Sequence, residues 1–384
     1  MDFGINEEQR MIQDAARRLM KQEIQPVLAK YPAGSTLPVE EIKYLLKKLI
    51  PMGYLGSTIP EADGGAGLDW VTWGLLMEVI EPEMFGVAFN SAGMAQGVAL
   101  RGNEYHKKTF LPGLLSADRI GCAGITEPNV GSATFSIQTR AVEDGDYYII
   151  NGSKMWISNA AFADVCMVLA NADPGRGRDG ICMFIVDKAV SPWEARKIEV
   201  LSEGRIPEVG EMIFEDCRVP KENLLVPPGH GLKAQLSGFS AARCFVGMYG
   251  LIPAQLAYEA AVKYARERTQ WGKPIGQFQL IQNMIAEMYA LIETSRLLIF
   301  RALWMLDQDM RCIKESSLAK FYATEAAIKV TSMAIEVHGA YGLSKEYPVA
   351  DLYKKGRMGT IPDGTNEIQR LIIGREILGM SAFV

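Results

Sequence analysis

The sequence predicts a mixed α and β protein with an N-terminal helical domain, a middle antiparallel β domain and a C-terminal four-helix bundle. Apolar residues recur at helical spacing in the first third of the chain. Short β-rich runs between turn residues fill the middle, and long apolar stretches at helical spacing fill the rest. We place the domains at residues 1–118, 119–230 and 231–384.

Local patterns predict the elements of the first two domains. Met11, Ile12, Ala15 and Leu19 follow the helical i, i+3, i+4 rule, and a turn-rich stretch, "STIPEADGGAGLDW", interrupts the helices that follow. In the middle domain the predicted strands are "YYII", "DVCMVLANA", "GICMFIVDK", "RKIEV" and "EMIFEDCRV". Turn signals separate these runs and no helical pattern intervenes, which indicates a compact antiparallel β domain.

The C-terminal domain is predicted from three long helical patterns. They are "LIPAQLAYEAAVKYARER", "QLIQNMIAEMYALIETSRLLIFRALWMLD" and "SLAKFYATEAAIKVTSMAIEVHG". Three or four helices of this length pack most simply as an antiparallel bundle, because each one buries an apolar stripe against its neighbours.

Composition excludes several classes of function. The 384 residues carry a net charge of −5 and no long basic run, so nucleic acid is not an expected partner. No run of about 18 apolar residues exists, so no membrane span is expected. Six scattered cysteines without a C-x-x-C pair indicate a reducing, cytoplasmic location, and three distant histidines give no support to a metal site.

One carboxylate stands out near the C-terminus, in the segment "IPDGTNEIQR". Asp363 lies between Pro362 and Gly364, directly before a helical pattern. Thr365 and Glu367 fit the N-cap and the third position of that helix. Pro-Asp-Gly is a common turn composition, so a surface turn is one interpretation. A catalytic base held on a short loop is the other.

Six segments together carry a family resemblance. They are "IPEADGGAGLDW", "GITEPNVGSATFSIQTRA", "INGSKMWISNA", "ARERTQWGKPIGQFQLIQ", "EVHGAYGLSKEYPVADLYKKGR" and "IPDGTNEIQR". In this order and spacing they resemble the acyl-CoA dehydrogenases from end to end, and the predicted architecture is similar to that family's. The resemblance implies FAD, an acyl-CoA thioester substrate, a homotetramer and an electron-transferring flavoprotein as oxidant. It also implies that a base removes the α-proton of the thioester while the β-hydrogen leaves as hydride to flavin N5.

The resemblance assigns cofactor roles in the middle domain. Thr126 is expected at the pyrimidine end of the flavin, and Ser132 at a phosphate or the CoA moiety. Trp156 is expected to face the flavin. Ser158 stands where the family usually has Thr and keeps the hydroxyl that bonds near N5. Ala133 replaces the common Asp, so the local bonding differs there.

Further cofactor roles are implied in the C-terminal domain. Arg268, Trp271 and Gln279 are expected to meet the pyrophosphate and adenine of a neighbouring subunit's FAD, with Trp in place of the usual Phe. Gly339 and Gly342 either end a helix or let the backbone approach the FAD diphosphate.

The remaining implied roles lie around these segments. Glu336 replaces the usual Gln among the FAD-binding residues, and Thr365 and Glu367 are expected near the flavin. Substrate-binding roles are expected for the following residues: Ser132, Phe89, Arg243 and Gly364.

By resemblance, Asp363 is the catalytic base. Most family members have Glu at this position and Tyr before it, whereas here Asp363 follows Pro362. A minority of members carry the base just before the residue that matches Arg243, but that position is Ala242 here. Asp363 is therefore the only carboxylate at either position; a displaced base or a changed reaction is the alternative. Asp is shorter than Glu by roughly 1.3–1.5 Å, and a misplacement of about 1 Å can cost about 100-fold in rate.

The shorter acid suggests an unusual acyl group. A cyclic or α-branched substrate, such as cyclohexane-carboxyl-CoA, is predicted to need a shorter base and the space left by Pro362. The apolar segment with Phe85, Val87, Phe89 and Met94 is expected to line the acyl pocket. It lacks the Arg that glutaryl-type members use for a distal carboxylate. The alternatives are a non-oxidative or reductive acyl-CoA flavoenzyme, a straight-chain dehydrogenase and a catalytically silent flavoprotein.

Overall fold

The computed structural model describes residues 4–202 and 204–382. The chain divides into two compact units, and the division falls after Gly238. The first unit contains the N-terminal helices and the sheet, and the second is helical apart from one short hairpin. This is the mixed architecture that the sequence predicts.

Six helices precede the sheet of the first unit. They are α1 (Glu7–Leu19), α2 (Gln25–Leu28), α3 (Val39–Leu49), α4 (Trp70–Glu78), α5 (Pro82–Arg101) and α6 (Glu104–Leu115). Side-chain caps set several of their starts. Asn6 and Asn103 form capping boxes, and Asp69 accepts a hydrogen bond from the Thr72 amide. A seventh helix, α7 (Gly231–Ser237), ends the unit.

The sheet has eight strands. They are β1 (Gly121–Gly124), β2 (Arg140–Asp144), β3 (Tyr147–Ser158), β4 (Val165–Asn171), β5 (Ile181–Asp187), β6 (Glu194–Lys197), β7 (Val209–Pro220) and β8 (Leu224–Val226). Their order is β6-β7-β3-β2-β4-β5-β8, with β1 also paired to β4. The predicted antiparallel pairing holds for β2–β3, β3–β7, β4–β5, β5–β8 and β6–β7, whereas β1 and β2 pair with β4 in parallel. Strand direction depends on long-range pairing, which local patterns do not record.

Strand β4 is buried on both faces, and this explains its continuous apolar sequence. Val165, Met167 and Leu169 join a cluster that contains apolar residues of α5 and α6. Cys166 and Val168 point the other way, into a second cluster within the sheet domain. Alternation along one strand therefore builds both cores of the unit.

The second unit is built around α10 (Ile313–His338). This helix packs against α8 (Phe239–Glu267), α9 (Gln279–Asp307), α11 (Val349–Met358) and α12 (Asn366–Leu378). Small residues allow the close approach of α8 to α10. A Cβ at Gly250 would lie 3.1 Å from the Thr324 Cα, and one at Gly247 would lie 3.2 Å from the Ala319 carbonyl oxygen. A hairpin of β9 (Thr269–Gln270) and β10 (Lys273–Pro274) precedes α9.

Among the helices in the described ranges, none combines the length and apolar character that crossing a bilayer requires. Within those same ranges, no cluster of three or more His, Cys, Asp or Glu side chains is arranged to hold a metal ion.

Candidate active site

Asp363 lies on the turn between α11 and α12. Its φ is 53° and that of Gly364 is 87°, so two successive residues adopt the left-handed conformation. Asp tolerates this region better than most residues, and Gly adopts it freely. The Thr365 hydroxyl accepts a hydrogen bond from the Ile368 amide at 3.5 Å, which confirms the predicted N-cap. Glu367 is the second residue of α12, so its predicted third position is wrong by one residue.

The turn is held from its inner side by two buried side chains. Lys320 Nζ donates to the carbonyl oxygens of Thr360 and Gly364, each at 3.0 Å, and to Asn366 Oδ1 at 2.9 Å. Gln369 Nε2 donates to the carbonyl oxygens of Asp363 and Gly364 at 3.0 and 2.9 Å. All of these acceptors are neutral, and all but Asn366 Oδ1 are main-chain oxygens, so the bonds fix the backbone without involving the Asp363 carboxylate.

The Asp363 carboxylate is half-buried. In residues 4–202 and 204–382 it makes no hydrogen bond or ion pair of its own. Burial raises the pKa of Asp363, whereas the positive charges of Lys320 and Arg243 oppose that rise. A carboxyl group whose ionised form is desolvated takes up a proton more readily, which suits a general base.

Arg243 lies in the first turns of α8, near the start of the helix as predicted. It is 8% exposed, and its Nε atom has no hydrogen-bond partner within the described chain. The guanidinium lies over the Phe239 ring at 5.7 Å. Burial lowers the pKa of Arg243, and the charge of Asp363 acts against this. A buried guanidinium with an unused donor fits a residue that waits for an oxygen acceptor.

In the first unit, the structure brings Thr126 to the Trp156 segment. The register between β3 and β7 shifts between Lys154 and Ile157. The Met155 amide in this bulge donates to the Thr126 carbonyl oxygen at 2.9 Å. Trp156 has a φ of 64° and is 53% exposed. Bulges often redirect a side chain beside a functional site, and a positive φ at Trp is strained.

The hydroxyl residues of this region remain accessible. Ser158, the last residue of β3, is half-buried, and Ser132 is exposed on the loop before β2. Ala133 next to it is also exposed. Their cofactor roles stay predictions.

A buried ion pair that sequence reasoning missed supports the Thr126 loop. Lys154 Nζ lies 2.8 Å from Glu127 Oε1 and donates to the Ile125 carbonyl oxygen at 3.2 Å. Glu127 also accepts hydrogen bonds from the Gln138 and Thr139 amides and from the Thr139 hydroxyl. The only sequence signal was their position: Glu127 directly follows Thr126, and Lys154 lies two residues before Trp156.

The pKa values of both partners are lowered, which favours the ionised form of Glu127 but disfavours that of Lys154. Burial opposes ionisation of Glu127, but Lys154 and the surrounding donors outweigh it and lower the pKa of the carboxyl group. Burial also lowers the pKa of Lys154, and Glu127 only partly compensates. The carboxylate gathers several donors, which together outweigh burial, whereas the ammonium depends mainly on one carboxylate partner, which does not.

The glycine-rich turn has a local packing role. Helix α10 ends at His338, and Gly339 follows with a φ of 60°. A Cβ at Gly342 would lie 2.5 Å from the Ile335 carbonyl oxygen, so the turn folds back tightly on the helix end. This gives Gly342 a structural reason that is independent of FAD. Glu336 is exposed on the last turn of α10.

The hairpin before α9 presents an unusual tryptophan. Trp271 and Gly272 have φ values of 48° and 74°, as expected for a two-residue hairpin turn. Trp271 is 87% exposed. Arg268, at the base of the hairpin, lies over the Tyr341 ring at 5.7 Å, and Gln279 is exposed as the first residue of α9. An aromatic ring held outward at this tip fits a group that contacts something outside its own unit.

The predicted acyl-pocket segment is mostly core. Phe85, Val87 and Met94 of α5 are buried, so they do not form an accessible wall. Phe89 is half-buried and stacks on Phe85 and Trp73 at ring distances of 6.0 and 6.2 Å. Of the four residues, Phe89 alone is half-buried, and its substrate role stays a prediction.

The residues present fit FAD. Trp156 offers an exposed aromatic surface for a flavin ring, and the neighbouring Thr126 and Ser158 supply hydroxyl groups. Gly339 has a positive φ and no atom within 4 Å of where its Cβ would stand, which leaves room for a diphosphate to approach the backbone.

Comparison with known proteins identifies the family. Residues 6–118, 122–217 and 229–378 match the N-terminal, middle and C-terminal domains of acyl-CoA dehydrogenase. The chain is 34% identical to glutaryl-CoA dehydrogenase of Desulfococcus multivorans, covering 99% of each chain. It is also 34% identical to acryloyl-CoA reductase (NADH) of Anaerotignum propionicum, covering 98% of this chain and 96% of that one.

A solved structure is also similar to this chain along its whole length. It is described as an electron transferring flavoprotein of Acidaminococcus fermentans, superimposes with a TM-score of 0.91 at 32% identity, and covers 98% of this chain and 100% of that chain. With all three domains matched in order, the chain belongs to the acyl-CoA dehydrogenase family and is an FAD-dependent oxidoreductase.

Proposed function

We propose that this enzyme oxidises a cyclic or α-branched acyl-CoA, such as cyclohexane-carboxyl-CoA, to the α,β-unsaturated thioester, with Asp363 as the base. The observation that carries the proposal is the Asp363 carboxylate itself. It is half-buried on a turn fixed by Lys320 and Gln369, it is free of hydrogen bonds in the described chain, and its pKa is raised by burial.

The reaction requires the chain to move one proton. Asp363 removes the proton from the α-carbon, and the electron pair of that C–H bond becomes the new Cα–Cβ double bond. FAD, when bound, would supply the acceptor for the β-hydrogen, which leaves with its own electron pair as hydride. Negative charge builds on the thioester carbonyl as the proton leaves, so hydrogen-bond donors near that oxygen lower the barrier. Arg243 and Lys320 hold Asp363 ionised before the reaction, because their positive charges oppose the effect of burial.

The fixed turn supports a compact acyl group. Five hydrogen bonds from Lys320 and Gln369 hold the turn, two of them to the Gly364 carbonyl oxygen, so the backbone resists a shift towards a distant substrate. The shorter Asp363 side chain then needs the α-carbon to come closer. Pro362, which replaces a large aromatic residue, leaves space for an α-branch. Gly364 and Phe89 are the other expected substrate contacts.

The partners follow from the family. We expect an electron-transferring flavoprotein to reoxidise the enzyme, and the similarity to the Acidaminococcus fermentans structure supports this. We also expect a homotetramer in which Arg268, Trp271 and Gln279 serve a neighbour's FAD. The exposed Trp271 tip supports it, as do apolar residues exposed along α9: Leu280, Tyr289, Leu297 and Trp304. The six free, buried cysteines are consistent with work in the reducing cytoplasm.

A reductive function is the second candidate. It is supported by the 34% identity to acryloyl-CoA reductase (NADH) of Anaerotignum propionicum. The same base would then return a proton to the α-carbon. A straight-chain dehydrogenase would use the same residues with a different acyl group.

Two measurements test the proposal. Purified enzyme should reduce its flavin faster with cyclohexane-carboxyl-CoA than with butyryl-CoA or octanoyl-CoA under anaerobic mixing. Asp363→Asn should keep FAD and lose flavin reduction by about 10²–10⁴-fold, the usual scale for a general base. Faster reduction by a straight-chain thioester would refute the acyl preference. Reduction of Asp363→Asn at the parental rate would refute the base.

A further inference from the structure

We propose that Lys320 is a positioning residue for the base: its buried ammonium group fixes the turn that carries Asp363 and keeps that carboxylate ionised without pairing with it. This inference rests on the proposed role of Asp363. It concerns a side chain that the sequence motifs do not include, since Lys320 lies on α10, 43 residues before Asp363 in the chain.

The contacts of Lys320 are all to neutral oxygens. The residue is fully buried. Its three hydrogen bonds go to the Thr360 and Gly364 carbonyl oxygens and to Asn366 Oδ1. These acceptors lie on both sides of Asp363, so one ammonium group joins the two ends of the turn. In the part of the chain that the structure describes, no carboxylate forms an ion pair with Lys320.

A lysine in this position serves two purposes. The three acceptor oxygens surround Lys320 Nζ, so three N–H donors on one atom are needed, and an ammonium group supplies three. Because its charge is not cancelled by a direct ion pair, its field still reaches the nearby Asp363 carboxylate. A direct Lys320–Asp363 bond would stabilise the carboxylate but would also reduce its ability to take a proton.

The charged groups around this site come from several elements. Those that act on Lys320 or Asp363 are Arg243 of α8, Glu325 of α10, Asp363 of the turn and Glu367 of α12. Glu325 is paired with Arg370 of α12. Arg243 and Lys320 are thus the two cations that oppose the burial of Asp363. Burial lowers the pKa of Lys320 to about 8, and the carboxylates counteract this only in part.

The positive charge of Lys320 sets the direction in which the pH–rate profile should shift when this charge is removed. The base works only in its unprotonated form, so the rate falls as pH drops below the pKa of Asp363. Removing a nearby positive charge favours the protonated carboxyl group and raises that pKa. The acidic limb of the rate profile should then move to higher pH, by on the order of one pH unit, since a nearby opposite charge shifts a carboxyl pKa by about 1–3.

Three variants distinguish the effect of the Lys320 charge from the effect of the hydrogen bonds that fix the turn. Lys320→Met removes both the charge and the three hydrogen bonds. Asn366→Asp is isosteric and places a negative charge where Oδ1 now lies 2.9 Å from Lys320 Nζ. Gln369→Leu is the matched control, because it removes two hydrogen bonds to the same turn without changing any charge.

The experiment measures pH profiles of two reactions in the FAD-loaded enzyme. One is flavin reduction by cyclohexane-carboxyl-CoA, or by butyryl-CoA if the substrate panel favours it. The other is exchange of α-hydrogens into D₂O from 3,3-dimethylbutyryl-CoA, which has no β-hydrogen and so reports proton abstraction alone. Melting temperature and FAD content confirm folding.

We expect Lys320→Met and Asn366→Asp to move the acidic limb of the rate profile to higher pH. Gln369→Leu should slow the reaction but leave the acidic limb at the same pH as in the parent enzyme. An unmoved limb in both charge variants refutes the proposal, as does an equal shift in Gln369→Leu. If Lys320→Met does not fold, the pH profile of Asn366→Asp alone tests the proposal. Activity in Asp363→Asn would instead show that the assignment of the base is wrong, which is a separate failure.

Discussion

Glu127→Gln should destabilise the first unit and loosen its FAD site at the same time. Glu127 is 4% exposed and Lys154 is fully buried, with 2.8 Å between Glu127 Oε1 and Lys154 Nζ. Glutamine fills the same space but removes the negative charge. It also presents an NH₂ group to one of the amides of Gln138 and Thr139, which both donate to the carboxylate now.

The magnitude follows from the burial of both partners. Breaking a buried ion pair by removing one partner costs about 3–5 kcal/mol, because the other charge stays buried without compensation. For a large unit this corresponds to a fall in melting temperature on the order of 10 °C. The pKa of Glu127 is lowered in the folded state, so its contribution is present at neutral pH and is lost as pH falls through that lowered pKa. The difference between variant and parent should therefore shrink in acid.

The assay is thermal melting with and without added FAD, together with the FAD content of purified protein. The matched control is Glu143→Gln, which breaks the ion pair of Glu143 with Lys221 on the surface of the same sheet. Solvent screens that pair, so the control should melt like the parent. If Glu127→Gln melts like the control and keeps its FAD, the buried pair does not hold the Thr126 loop.

Two further predictions concern the base and the hairpin. Asp363→Glu should reach further by about one methylene and shift the ratio of kcat/KM towards butyryl-CoA over cyclohexane-carboxyl-CoA; an unchanged ratio in steady-state assays would show that base length does not select the acyl group. Trp271→Ser should leave folding intact, since the side chain is 87% exposed, but lower the FAD content of purified protein; full FAD content by absorbance would exclude a cofactor role for Trp271.

Local sequence patterns predicted much of the architecture because each pattern is a local property. The succession of helices, strands and helices follows from apolar spacing, and the Thr365 cap follows from its place before α12. The parallel pairing of β1 with β4 did not follow, because strand direction depends on how distant segments meet. The apolar segment of α5 contains both core residues and a half-buried one, which its sequence did not separate. Apolar character alone does not distinguish Met94 in the core from Phe89 at a half-buried position.

The site residues that sequence reasoning missed are mostly buried and charged. Lysine in an amphipathic helix normally lies in solvent, so nothing in the α10 sequence marks Lys320 as buried. Its role becomes visible only when α10 packs beneath the turn and places Nζ among three oxygens. Lys154 in β3 was missed for the same reason.

Comparing these two lysines explains why one of them has a carboxylate partner and the other does not. Lys154 supports a loop whose hydroxyl and amide groups need only a fixed position, so a direct pair with Glu127 interferes with nothing. Lys320 supports a turn whose own carboxylate must accept a proton. A second acid bonded to Lys320 would cancel the field that keeps Asp363 ionised, and a direct bond to Asp363 would weaken the base. Neutral carbonyl oxygens avoid both effects, at the cost of an ammonium group that loses its proton at a pKa of about 8. The chemistry expected of Asp363 therefore accounts for the neutral partners of Lys320.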